Sequence, residues 1–296
     1  MTTSTDLTKK ILVVDLSIGC LGTSTTDTEA TNEVIKKNAA SHDAGRFSKN
    51  LLKEPLAPIK RIMGKARRLH REYTLPGLSR GLNVLPVSLH AKYTELMTAK
   101  QTEYFEAVAV FRSGYETHKA DDQNKLGTLF RPSDYPPAET LDRYFKFDFT
   151  VLDMPQGDFQ RLDGIYSVRA QELKANYEKR MQEIGETAAN TVRKTLAELI
   201  GKVAERLSDP EAKVYDSLLQ NLRDYLAMVP ALNVTNDPEV ELVRAEALQK
   251  LDVSTEMLRK SQFAREQTAL SAQSIVKRFG ASGIRKFATS ADTAAA

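Results

Sequence analysis

The chain has 296 residues, which is enough for one large or two modest domains with a sizeable buried core. Charged residues make up 27% of it and aromatic residues 7%, without tryptophan, a composition typical of a protein with much exposed helix surface. The single cysteine, Cys20, excludes an internal disulfide framework and a zinc site of the CxxC type. Because the apolar run Ile11–Leu16 is too short for a spanning helix or a signal peptide, we expect a cytoplasmic protein.

Two segments of the chain predict β-strands. Residues 11–18 are rich in β-branched side chains and end at a glycine. Residues 144–152 alternate between apolar and polar side chains, which places Phe145, Phe147 and Phe149 on one face. Because an isolated strand leaves its backbone groups unpaired, we expect these two segments to be neighbours in a sheet of two or three strands.

Residues 49–73 predict a helix with two chemically different sides. Pro55 and Pro58 stand near its start, and proline is tolerated in the first turn of a helix. On a helical wheel the apolar side chains form one arc, with His70 at its edge as an ordinary boundary residue: Leu56, Ile59, Ile62, Met63, Ala66, Leu69 and Tyr73. The opposite side, which we call the basic face, carries six cations: Lys60, Arg61, Lys65, Arg67, Arg68 and Arg71.

Positive charge is concentrated around this helix. Residues 46–80 contain ten Lys or Arg and two Glu, a local balance of +8, whereas the whole chain carries +3 and the remainder therefore −5. Such a face can meet a phosphate backbone through salt-sensitive contacts that do not read the base sequence. The alternative is a solvated face that pairs with the acidic excess elsewhere in the chain or in a neighbouring subunit.

Two further segments predict long helices. Residues 88–121 follow turn-like residues 74–81 and present a buried stripe of Leu89, Tyr93, Leu96, Tyr104, Val108, Phe111 and Tyr115. Residues 165–207 predict a helix of about 43 residues, about 65 Å long at 1.5 Å per residue. Its apolar stripe advances by about 3.8 residues per step, more than the 3.5 of a left-handed coiled coil. We therefore expect different neighbours in succession, among residues 88–121 and the C-terminal helices.

The C-terminal third predicts shorter helices joined by brief connections. Asp209-Pro210 and Asp237-Pro238 each combine an N-cap residue with a proline at the first helical position, and Ser254 can cap another helix. We expect a fold that is mainly α with a small β-sheet (α+β), an elongated antiparallel helical bundle around the long central helix. The expected divisions are a mixed domain at 1–157, a helical hairpin or bundle at 158–280 and a flexible tail at 281–296.

Signals of catalysis are weak in this sequence. It contains no GxxxxGK[ST] loop, no GxGxxG and no HExxH motif. Val14–Gly22 is loosely similar to the phosphate-binding strand and turn of sugar-kinase-like ATPases, but the further strands of that fold are missing. Asp121-Asp122 and the set Asp142, Asp148 and Asp153 could hold a metal, and solvated positions also explain them. We expect no catalytic residue, no metal site and no cofactor.

The order of these segments resembles an uncharacterised family of phage and mobile-element proteins, described as a domain of unknown function. The segments that carry the resemblance lie between residues 10 and 200: Ile11–Gly22, Lys60–Arg68, Thr74–Pro76, Val84–Pro86 and Tyr93–Tyr115. The Trp-Gly that usually follows the first strand of the family is Ile18-Gly19 here. The resemblance implies an accessory protein of the bacterial host cytoplasm, encoded near recombination genes and a MoxR- or cobalt-chelatase-like AAA+ ATPase.

Three functional hypotheses follow. The first is a non-enzymatic accessory protein whose basic face binds a DNA or RNA backbone, a nucleoprotein or an AAA+ ATPase. The second is a structural or assembly protein whose helices form a homo-oligomer. The third is a metal-dependent nuclease that uses the scattered carboxylates.

Overall fold

The computed structural model describes the backbone of residues 7–79, 81–154 and 167–291, and the side chains of residues 7–77, 81–154 and 171–279. By its internal packing the chain divides into two units. The first unit contains Met1–Val14, Tyr73–His90 and Leu152–Ala296, and the second contains Asp15–Glu72 and Ala91–Val151. Each unit is therefore built from segments that are distant in sequence.

Six strands lie in the described residues. They are β1 (Ile11–Gly19), β2 (Ser24–Thr26), β3 (Ser48–Asn50), β4 (Leu75–Ser79), β5 (Leu82–Pro86) and β6 (Lys146–Asp153). Four of them form a sheet in the order β4-β5-β1-β6, and β2 pairs with β3 in a separate antiparallel pair. The prediction that the first strand and the phenylalanine-rich strand are neighbours is confirmed. The predicted sheet of two or three strands was wrong, because it omitted the β4–β5 hairpin.

The β4–β5 hairpin occupies residues that the sequence predicted as turns. The two strands are antiparallel, and Leu75 pairs with Val84. Pro76 is tolerated because β4 is an edge strand, where one backbone N–H can stay outside the ladder. A Cβ on Gly77 would lie 2.3 Å from the Leu82 carbonyl oxygen, so glycine is required at this position.

The helices up to residue 126 are α1 (Thr28–Lys37), α2 (Lys53–Tyr73), α3 (His90–Ser113) and α4 (Tyr115–Leu126). The predicted helix 49–73 is confirmed as α2, but it begins later because residues 48–50 pair as β3. The single helix predicted over residues 88–121 was wrong, because the chain breaks at Gly114 between α3 and α4. A Cβ on Gly114 would lie 2.7 Å from His118 Nε2, so a glycine at this position leaves room for the imidazole ring.

The phenylalanine face of β6 packs against the apolar stripe of α3. Phe145 contacts Phe111, Phe147 contacts Tyr104 and Phe149 contacts Tyr93, with ring centroids 5.4–6.0 Å apart. Side chains two apart on the strand meet side chains two or three turns apart on the helix, so each element presents one apolar face. Tilted and edge-to-face pairs of this kind contribute about 0.5–1.5 kcal/mol each beyond their buried area.

A buried aspartate of α4 fixes the start of α2. Leu52 precedes the helix with a φ of 52°, a left-handed conformation that is rare for leucine. Its N–H donates to Asp122 Oδ2 at 2.6 Å, and the Tyr135 hydroxyl donates to the same oxygen at 3.0 Å. A carboxylate at a helix N-terminus is also favoured by the helix dipole. Asp122, which the sequence assigned to solvent or a metal, is thus an internal anchor.

Replacing Asp122 with alanine is expected to lower the free energy of unfolding by about 3 kcal/mol, because two buried donors lose their charged acceptor. Urea unfolding followed by circular dichroism measures this change. The neighbouring Asp121 is exposed, so Asp121→Ala is the matched control and should change stability by less than about 0.5 kcal/mol. Equal losses from both substitutions would contradict the anchoring role.

The first unit contains the C-terminal helices α5 (Ser167–Ser208), α6 (Asp216–Leu232), α7 (Pro238–Leu251), α8 (Thr255–Lys260) and α9 (Gln262–Ala291). Helix α5 has 42 residues, which confirms the predicted long helix. It packs against α6, α9 and β4, so its apolar stripe has more than one neighbour. The stripe is buried from Met181 to Leu207, whereas Leu173 is exposed and Ile200 takes the place predicted for Leu199.

The predicted helix start at Asp209-Pro210 was wrong, because a distant arginine holds this segment. Helix α6 begins only at Asp216. The guanidinium of Arg265, a buried residue of α9, donates to the carbonyl oxygens at the end of α5 and in the following loop. The acceptors are Arg206 and Leu207 at 3.2 Å, Ala212 at 2.8 Å, and Asp209. One side chain therefore satisfies carbonyl groups that a helix end leaves without partners.

The other two predicted helix starts are confirmed. The Asp237 carboxylate accepts from the Glu239 N–H at the start of α7, and the Ser254 hydroxyl accepts from the Met257 N–H at the start of α8. Helix α9 extends to Ala291, and the remainder of the predicted tail lies outside the described residues. Among the residues that the structure describes, no helix combines the length and the apolar character needed to cross a membrane.

Candidate nucleic-acid interface

Helix α2 buries its apolar side and exposes all six cations of the basic face. The buried side chains are Leu56, Ile59, Met63, Ala66 and His70. The other members of the predicted apolar arc, Ile62, Leu69 and Tyr73, are half-buried. The helix is thus fixed on one side while its cations stay accessible on the other.

His70 is a buried residue and not the boundary residue that the sequence predicted, since only 7% of its surface is exposed. Its Nδ1 lies 2.8 Å from the Tyr93 hydroxyl oxygen. Burial, and after it the charge of Arg71, lowers the pKa of His70 to about 4. The imidazole is therefore neutral at neutral pH, and the charge of the basic face comes from lysine and arginine.

The six cations form two rows along α2. At about 100° per residue, one row spans about 40° of the helix and the other about 60°. The first row is Lys60, Arg67 and Arg71, and the second is Arg61, Lys65 and Arg68. Gly64 lies between the rows, where an added Cβ would meet no atom within 4 Å. A ligand can therefore approach the helix backbone between two lines of positive charge.

Carboxylates compensate little of this charge. Arg68 Nε lies 3.4 Å from Glu72 Oε1, and both side chains are largely exposed, so the pair is weak. Arg61, Lys65 and Arg71 make no ion pair with the residues that the structure describes. These three side chains can bind a ligand without first breaking an ion pair to the described residues.

Lys60 and Arg67 are held by neutral oxygen atoms near the end of β1. Lys60 Nζ donates to Thr23 Oγ1 at 2.5 Å, and the Arg67 guanidinium donates to the Ile18 carbonyl oxygen at 2.9 Å. Cys20 lies in the same turn, where burial raises the pKa of its thiol and the charges of Lys60 and Arg67 oppose that rise. The two bonds position the cations without neutralising them.

Another cation of this region is not available to a ligand. Lys49 is buried, and its Nζ lies 2.9 Å from an oxygen of Asp27 and 2.7 Å from one of Asp134. The same ammonium donates to the Leu129 carbonyl oxygen at 2.9 Å. Part of the local positive balance is therefore internal, and most of the exposed cations lie on α2.

The scattered carboxylates do not form a metal centre. Across residues 7–79, 81–154 and 167–291, no three His, Cys, Asp or Glu side chains lie close enough to hold an ion. Asp122 accepts from Leu52, and Asp142 pairs with Arg112 at 2.8 Å. Asp148 and Asp153 are exposed. Internal bonds and solvent thus account for the candidates that the sequence offered.

A cleft of about 550 Å³ in the first unit lies between the end of α5 and the start of α6. Its lining includes two cations, Lys202 and Arg206, and two carboxylates, Glu205 and Asp209. The Arg206 guanidinium also lies 5.5 Å from the centre of the Tyr215 ring. Because these charges balance, the cleft does not favour a ligand of one charge sign, whereas the basic face favours an anion.

Neither protein-family models, nor curated proteins, nor solved structures gave a match. The resemblance to phage and mobile-element proteins therefore stays a prediction. The features of this chain that indicate a function are the geometry and the charge of α2.

Replacing Gly64 with alanine is expected to raise the free energy of unfolding by about 0.5–1 kcal/mol, because glycine is costly inside a helix. The added methyl group would meet open space. Gly77→Ala is the opposing control, since its Cβ would clash with the Leu82 carbonyl oxygen and lower stability. Thermal unfolding of both variants measures the changes, and shifts of the same sign would contradict this account.

Proposed function

We propose that this protein is a non-enzymatic accessory protein whose basic face binds the phosphate backbone of a nucleic acid without reading its sequence. The proposal is supported above all by the lack of carboxylate partners around the cations of the basic face. Of the six exposed cations, only Arg68 has a carboxylate partner among the described residues. Cations in this state release counterions from nucleic acid when they bind phosphates, and that release supplies the affinity of sequence-independent binding.

The dimensions of α2 suit this role. From Lys60 to Arg71 the cations cover about 16 Å of helix at 1.5 Å per residue. Duplex DNA carries one negative charge per about 1.7 Å of its axis, so several phosphates lie within reach. Contacts with phosphates position a protein on nucleic acid but carry no sequence information. We therefore expect similar affinities for duplexes of unrelated sequence.

The direct test measures binding of the full chain to labelled duplexes of two sequences, a single strand and an RNA between about 50 and 200 mM salt. The logarithm of the binding constant should fall linearly with the logarithm of the salt concentration, by about 0.9 for each duplex phosphate contacted. Absence of binding to all four probes at the lowest salt would overturn the proposal.

The family resemblance adds a partner class to this proposal. An accessory protein of a mobile element in a bacterial host cytoplasm would meet a nucleoprotein complex or an AAA+ ATPase there. Capture of partners from such cells, with and without nuclease, separates two cases. A partner lost after nuclease treatment is bridged by nucleic acid, whereas a retained ATPase contacts the protein directly.

A second candidate, a homo-oligomeric assembly protein, is favoured by exposed apolar side chains on α9. Phe263 and Leu270 are 72% and 57% exposed. Their spacing of seven residues places both on one side of the helix. A solution mass well above 33.0 kDa that is unchanged by charge reversal on the basic face would favour this candidate. A monomer at high concentration would exclude it.

A further inference from the structure

We infer that the polyanion contact continues from α2 onto the turn after β1, where Lys60, Arg67 and the Thr23 hydroxyl together hold one phosphate group. This inference rests on the proposed function and adds a second part to its site. The turn is not part of the basic face, and the sequence alone does not connect it with α2. Lys60 bonds Thr23 and Arg67 bonds the Ile18 carbonyl oxygen, and the charges of both cations reach Cys20 between these two residues.

The two cations at this turn retain most of their binding capacity. An ammonium has three N–H donors and a guanidinium has five, and one contact of each is made to a neutral oxygen. Because neither Thr23 Oγ1 nor the Ile18 carbonyl carries charge, the positive potential of Lys60 and Arg67 remains. A ligand would find both cations already positioned and would lose little side-chain entropy on binding.

The turn itself offers room and a further donor. Gly22 is exposed, and a Cβ there would meet no atom within 4 Å. Thr23 accepts from Lys60 through its hydroxyl oxygen and keeps its own O–H to donate. The start of the turn is fixed in place, because the Tyr104 hydroxyl donates to the Gly19 carbonyl oxygen at 2.5 Å. A phosphate group at this turn can therefore accept from the Thr23 hydroxyl and from two cations that are already held beside the turn.

The test compares the salt dependence of duplex binding in two paired variants. Lys60→Gln with Arg67→Gln removes two charges and leaves neutral polar side chains in their place. If the two cations hold one phosphate group between them, the slope should become shallower by about 0.9, the contribution of one neutralised phosphate. The control is Lys174→Gln with Lys179→Gln on α5, two exposed lysines with no ion pair to described residues. It should leave the slope unchanged.

A second measurement locates the ligand through Cys20, the only cysteine of the chain. The thiol is half-buried in the same turn, so a bound duplex should remove most of its rate of alkylation by iodoacetamide. In the Lys60→Gln, Arg67→Gln variant the duplex should protect it less.

The outcomes separate this inference from the proposed function. If the wild-type chain does not bind the duplex, both fail. If it binds with a salt-dependent affinity but the Lys60→Gln, Arg67→Gln variant keeps the wild-type slope, the inference fails and the proposed function stands. A reduced slope together with protection of Cys20 supports both.

Discussion

Replacing both Arg61 and Lys65 with glutamate is expected to lower the affinity for duplex DNA about 100-fold at low salt, since two attractive phosphate contacts become repulsive. Neither side chain makes an ion pair with the described residues, so the substitutions remove no internal contact of that kind. Both are exposed on a helix whose opposite side is buried. The loss should therefore appear in binding, measured by fluorescence anisotropy, while the circular dichroism spectrum and the melting temperature stay close to those of the wild type.

The control for this experiment is Lys174→Glu with Lys179→Glu on α5. It changes the net charge by the same amount on another exposed helix surface. Binding should stay within about threefold of the wild type, because ordinary salt screens exposed charges that make no contact with the nucleic acid. Equal losses in the two double variants would show that net charge alone controls binding, and would remove the basic face as the site.

Replacing Arg265 with methionine is expected to lower the free energy of unfolding by about 3 kcal/mol, because several carbonyl oxygens lose the charged donor that they share. Methionine keeps much of the apolar volume of the side chain but cannot donate to the carbonyl oxygens of Leu207, Asp209 and Ala212. These acceptors would then be left without their donor at the end of α5. Urea unfolding followed by helix content measures the loss.

The matched control for Arg265 is Lys260→Met. Lys260 pairs with Glu256 at 2.5 Å, but both side chains are more than 70% exposed, so the change should stay within about 0.5 kcal/mol. A small effect at Arg265 as well would show that water satisfies the carbonyl groups in its absence. The conformation of the loop before α6 would then be determined by its own residues and not by Arg265.

Periodicity predicted most of the secondary structure, because it reflects which side of an element is buried. The alternation of Phe145, Phe147 and Phe149 corresponds to a strand face that packs on α3. The separation of apolar and charged side chains on residues 49–73 corresponds to a helix buried on one side. Both patterns are local, so a single sequence was enough to find them.

The wrong predictions share a cause, which is that distant residues decide the local form. Pro76 and Gly77 suggested a turn, but the edge position of β4 accepts the proline and the Leu82 carbonyl oxygen requires the glycine. Asp209-Pro210 has a helix start signal, and Arg265 overrides it from α9. No pattern within a short window contains these partners.

The candidate site was predictable in composition but not in detail. The six cations could be assigned to one exposed side of a helix from their spacing alone. The bonds from Lys60 to Thr23 and from Arg67 to Ile18 connect residues 37 and 49 positions apart, and only the fold brings them together. The burial of His70 against Tyr93 likewise depends on a second helix.

The division of the chain into interleaved segments determines the order in which its parts can fold during synthesis. The core of the first unit contains both Ile11 and Phe279. At about 5–20 residues per second, the roughly 270 residues between them take about 13 to 54 seconds to synthesise. The second unit ends at Val151 and is complete much earlier. A nascent chain can therefore present a folded basic helix before the apolar side chains of β1 and of the β4–β5 hairpin have met their C-terminal partners. During that interval a chaperone would protect these side chains.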